Sequence, residues 1–148
     1  MSFASIFGRR LGLAPTGNLK GKGGDLNITQ PCVDCSITVA AEDTNARAIT
    51  IQLKDANGAD INYVENVEII VYASAAMTAY ASTGGSTGIA IGTDGALLAV
   101  VAKKYFLATS ESDGDIDLTW TDTGSESVAV GVRLPNGRVV VSDAFANT

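Results

Sequence analysis

From Ser36 onward, apolar and polar residues alternate in short runs that recur about every ten residues, with a turn signal between one run and the next. Alternation of period two sends successive side chains to opposite faces, so each run reads as a strand with one buried face. Residues 48–54 (AITIQLK) give the cleanest case: Ile49, Ile51 and Leu53 point one way, Thr50 and Gln52 the other. Similar runs lie at 36–41, around Ile61, and at 67–73, 89–91, 97–101, 105–109, 116–120, 128–134 and 138–142. Asn57-Gly58 is the signal of a type I′ hairpin turn, and Asn136-Gly137 marks a second hairpin. The pattern predicts an all-β chain: an immunoglobulin-like β-sandwich of about eight short strands over residues 36–148, behind an extended N-terminal arm of residues 1–35. Trp120 reads as a core or inter-sheet residue, and both cysteines precede the predicted sandwich, so the cysteine–tryptophan–cysteine core of antibody domains is absent.

Charge divides the chain at the same place. Residues 1–30 carry Arg9, Arg10, Lys20 and Lys22 against Asp25 alone, a net +3, while residues 31–148 carry six basic and fifteen acidic side chains, a net −9, which together make the −6 of the whole chain. An acidic body argues against nucleic acid as a partner, because phosphate neutralisation by Lys and Arg supplies most of that affinity. The basic arm either reaches for an acidic surface or is kept soluble by its charges. Within it, Phe3, Ile6, Phe7 and Leu11 fall at helical spacing, although a helix this short is marginal alone and is expected to order against a partner. Residues 15–24 (PTGNLKGKGG) read as a linker or an extended arm. No apolar run reaches the ~20 residues of a membrane span, and no secretion signal is expected at the start.

The residues that could carry chemistry are few. The chain has no histidine, which removes Ser-His-Asp and Cys-His arrangements and leaves carboxylates for any acid–base work, so no enzyme activity and no cofactor are expected. Cys32 and Cys35 form a CxxC that is open to three readings: free structural thiols, a disulfide, or half of a metal site shared between subunits. Glu111, Asp113, Asp115 and Asp117 (ESDGDID) read as a solvated acidic face or a calcium site without the EF-hand spacing. The stretch 84–88 (GGSTG) lacks the Gly-Lys-Ser/Thr ending of a phosphate loop and reads as a flexible loop.

The runs AITIQLKDANG (48–58), STGIAIGTDGALLA (86–99), SESDGDIDLTW (110–120) and VRLPNGRVVVS (132–142) together resemble the small Ig-like sandwich proteins found among the virion genes of tailed phages, head decoration (cement) proteins included. That resemblance implies a structural protein made in the host cytoplasm and carried on the capsid surface of the virion. There it would bind the major capsid protein, brace neighbouring capsomers and assemble as a homotrimer, with no nucleic acid or membrane partner. On this reading Phe3, Ile6, Phe7 and Leu11 anchor in the capsid lattice while Arg9 and Arg10 pair with capsid carboxylates. The alternative is a host- or glycan-binding module of a tail or head fibre, in which the loop over residues 74–88, with Met77 and Tyr80, makes the contact.

Overall fold

A computed structural model describes residues 30–148 and, for the backbone alone, the pairing of residues 19–21 with 24–26. The remaining arm residues, including Phe3, Ile6, Phe7, Arg9, Arg10 and Leu11, lie outside the described residues. The chain divides into two units at Gln30/Pro31. In the first, β1 (Leu19–Gly21) pairs antiparallel with β2 (Gly24–Leu26), Lys20 standing opposite Asp25, where the sequence suggested only a linker.

The second unit contains β3 (Asp34–Val39), β4 (Ala46–Lys54), β5 (Asn66–Tyr72), β6 (Gly88–Ile91), β7 (Ala96–Val101), β8 (Tyr105–Thr109), β9 (Asp115–Thr121), β10 (Ala129–Arg133) and β11 (Val139–Val141). They form two antiparallel sheets, β3-β4-β9-β6 and β11-β10-β5-β8-β7. The fold is an all-β sandwich, as the period-two pattern predicted. Ile49, Ile51 and Leu53 of β4 and Ile116, Leu118 and Trp120 of β9 turn their alternate residues inward onto Val67, Ile69 and Val71 of β5 and Val130 and Val132 of β10. Truncating any one of these aliphatic side chains to alanine would cost about 2–5 kcal/mol, the transfer term plus the cavity left behind. Trp120 is fully buried; its ring meets Phe145 edge-on at 5.2 Å, and its Nε1 donates to the Gly84 carbonyl at 3.2 Å. That bond satisfies the one polar atom of an otherwise apolar side chain.

Both Asn-Gly pairs turn the chain, but not as type I′. The Gly58 N–H donates to the Asp55 carbonyl and the Asp55 N–H to the Ala59 carbonyl, with Gly58 at φ +79° and Asn57 absent from the left-handed region. Leu134 to Arg138 repeats this arrangement around Gly137, and Glu111 to Asp115 around Gly114. Each is a type I turn followed by one left-handed glycine, the usual form of a three-residue hairpin loop. The two-residue turn joins β3 to β4 instead, where Thr44 and Asn45 both have positive φ (50° and 65°) between Asp43 and Ala46. The C-terminal residues fasten this corner. Asn147, almost wholly buried, donates through Nδ2 to the Asn45 and Asp122 carbonyls and accepts from Arg47 Nε, while Arg47 also donates to the carbonyls of Ala40 and Ala146.

Candidate interaction surface

The loop after β5 continues that strand as an irregular hairpin. The Ala73 N–H donates to the Ala79 carbonyl and the Ala81 N–H to the Val71 carbonyl, which places Tyr80 beside Tyr72. The two rings stack at 6.5 Å with planes 6° apart, and Tyr80 remains 56% exposed. Met77, at the bend with φ 56°, is also exposed. The sequence-predicted contact residues therefore share one loop tip, backed by an aromatic partner on the sheet that no local pattern revealed.

The glycine-rich end of this loop is held in place. The carboxylate of Glu126 accepts the N–H groups of Thr83, Gly84 and Gly85 (2.9, 2.9 and 3.1 Å) together with the Thr83 hydroxyl. Burial works to raise the Glu126 pKa, but these donors outweigh it and bring the group down to about 2. Gly84 and Gly85 both have positive φ, and a Cβ on Gly85 would come within 2.8 Å of Trp120 Nε1, so glycine is required for backbone conformation and for space. Lys103 Nζ donates to the Ser86 carbonyl, and the Asp122 carboxylate accepts the Ser86 and Glu126 N–H groups, which completes a polar clasp around the stretch expected to be flexible.

On the opposite flank, Asp115 and Asp117 extend from one face of β9, as their spacing implied, and are joined by Asp94 from the β6–β7 turn; one oxygen of each lies within 4.8 Å of the other two. Glu111 and Asp113 are used elsewhere, accepting the N–H groups of Gly95 and Asp115 respectively. Asp117 accepts from the Thr50 and Thr93 hydroxyls, whereas the buried Oδ1 of Asp115 has no hydrogen-bond partner. Burial first, and then the Asp117 charge, raise the Asp115 pKa. Three carboxylate oxygens of this kind suit a hard cation such as calcium. Asp94 was missed because it is remote in sequence and enters through a turn.

Cys32 and Cys35 are buried, unpaired thiols. Cys35 stands within β3, opposite Leu53, rather than ahead of the sandwich. Burial, reinforced by Asp34 and Cys32, pushes its thiol up to about 12, so near neutral pH it stands as the thiol and not the nucleophilic thiolate.

The outer face of the five-stranded sheet carries several exposed apolar side chains. One row across it runs Leu98, Leu107, Glu68, Arg133, Val139, and the next Val101, Tyr105, Ile70, Gly131, Val141. Leu98 is 65% exposed, Val101 50% and Leu107 44%, while Glu68 and Arg133 form an ion pair at 3.3 Å. Exposed large apolar side chains that adjoin in this way make the face a candidate interaction surface. Among the described residues, no helix is long and apolar enough to cross a membrane.

No family model matches the chain, and no curated protein does. Among solved structures it is similar to a cohesin module from a Clostridium perfringens ATCC13124 family 33 glycoside hydrolase, at a TM-score of 0.41 and 12% identity over 80% of this chain and 95% of that one.

Proposed function

We propose that this chain is a structural protein of a tailed-phage particle, which binds the outside of the capsid through its basic arm and stabilises the shell by bridging capsomers. The observation that supports it best is the division of labour along the chain: a rigid acidic sandwich with an exposed apolar sheet face, and a separate basic segment carrying Phe3, Ile6, Phe7 and Leu11 at helical spacing. The likeness of the strand and turn runs to virion sandwich proteins supplies the context. In this reading the arm's apolar stripe fills a groove in the shell, Arg9 and Arg10 meet carboxylates of the major capsid protein, and the sandwich spans to the next capsomer. The test is co-sedimentation with capsids of the full chain against residues 31–148. The full chain is expected to pellet and the truncated chain to stay in the supernatant; equal pelleting of both would refute the role of the arm.

A second reading is favoured by one observation, the Tyr72–Tyr80 stack. It fixes an exposed ring at a loop tip, the kind of surface on which a sugar ring packs. Glycan-array binding by residues 31–148 that is lost on Tyr80→Ala would establish recognition of the host in place of capsid bracing.

A further inference from the structure

Strand β7 is an edge of the five-stranded sheet, so one row of its backbone N–H and C=O groups has no partner strand among the described residues. Natural proteins blunt such an edge with charge, proline or a covering loop. β7 reads Ala-Leu-Leu-Ala-Val-Val, without a charge or a proline, and Leu98, Val100 and Val101 are each at least half exposed. The bulge at Ala99/Val101 leaves Ala96 to Ala99 as regular edge.

The two ends of this strand carry opposite charge. Asp94, two residues before it, lies with Asp115 and Asp117 in a carboxylate group that no described lysine or arginine pairs with. Past the other end come Lys103 and Lys104; Lys103 is committed to the Gly85 and Ser86 carbonyls, while Lys104 forms no ion pair with a described residue. An antiparallel copy of the same strand would bring each acidic end beside the other copy's basic end, twice, about one two-fold axis. Parallel pairing would set like charge against like.

We infer that β7 is the interface between two copies of this chain, paired antiparallel about a two-fold axis at Leu98 so that the two five-stranded sheets become one continuous sheet. Leu98 then lies against its own symmetry mate, Leu97 against the mate's Ala99, and Asp94 beside the turn that carries the mate's Lys103 and Lys104. This keeps outward residues with outward residues, as the period of two requires. The exposed Leu98 side chain packs beside its mate's across the axis, and the mate's Lys104 relieves the repulsion among the three carboxylates. This pairing is two-fold, where the resemblance to decoration proteins implies a trimer. The inference rests on the capsid reading only for its purpose, since a pair carries two arms and can hold two positions of a shell at once.

The test is made on the full chain in solution, without particles, so its result is independent of capsid binding. Sedimentation equilibrium should give a dimer. Leu98→Lys, an exposed position whose variant should keep its far-ultraviolet dichroism, should raise the dissociation constant roughly 100-fold. Asp94→Lys and Lys104→Glu should each weaken the dimer roughly 10-fold, because each change acts twice per pair, and combined they should restore it to within about 3-fold. Leu98→Cys should form an intermolecular disulfide on mild oxidation, whereas Val101→Cys, about 20 Å from its own mate in this register, should not. A wild-type monomer or trimer, a dimer untouched by Leu98→Lys, or cross-linking at Val101→Cys but not at Leu98→Cys would overturn it. A dimer with the predicted variants but no capsid binding would leave this inference standing and reject the capsid reading alone.

Discussion

Replacing Glu126 by glutamine tests whether the Gly84–Gly85 stretch is held by charge. The carboxylate gathers three backbone N–H groups and one hydroxyl, and its pKa falls from 4.5 to about 2. Each pH unit between the folded and unfolded values is worth about 1.4 kcal/mol, so the full shift corresponds to roughly 3 kcal/mol. Solvent reaching this partly exposed group lowers that to roughly 1–2 kcal/mol. Because the folded pKa is depressed, the contribution is complete above the unfolded value of 4.5 and disappears as pH falls toward about 2. Glutamine keeps one acceptor oxygen but not the charge. Urea unfolding should therefore show Glu126→Gln less stable by roughly 1–2 kcal/mol near neutral pH, with the two stability curves converging through the acid window. Curves that stay parallel from neutral pH down to pH about 2, or a variant as stable as wild type near neutral pH, would refute the electrostatic clasp.

Two further predictions follow from the sandwich itself. Thr44 is a β-branched residue at φ 50° in a two-residue turn, so Thr44→Gly should raise stability by roughly 0.5–1 kcal/mol in the same urea measurement; a loss of stability would show that its hydroxyl contact with Asp43 outweighs the strain. Cys35, buried and with its thiol pushed up to about 12, should resist alkylation in the folded chain and react on unfolding; rapid labelling of the native protein would contradict the burial described for it.

What could be read from the sequence depended on how local the cause was. Runs such as Ile49-Thr50-Ile51-Gln52-Leu53 declare both the strand and its buried face, because the period of two is imposed on consecutive residues. The turns are legible in the sequence, but the type I′ reading of Asn57-Gly58 fails: Asn-Gly suits both a two-residue and a three-residue loop, and the choice depends on where the flanking strands close their pairs, as Asp55 and Ala59 do. Thr44-Asn45 gave no recognisable signal because neither residue is glycine. The clasp on Gly84 and Gly85 was hidden because its acceptor, Glu126, is some forty residues away and is carried there by the path of β9. Asp94 likewise joins Asp115 and Asp117 only through the β6–β7 crossover. The exposed β7 edge reads in sequence as an ordinary core strand; only the strand order shows that, among the described residues, it has a partner strand on one side alone.

The central claim, that this chain braces a capsid through its arm, is tested most directly by a reconstruction of assembled particles carrying it. The account predicts density for the sandwich on the outer surface of the shell, with residues 1–30 continuing into a groove of the lattice and each sandwich touching a second copy at β7. Density confined to the tail, or sandwiches on the shell whose arms make no contact with it, would contradict the account.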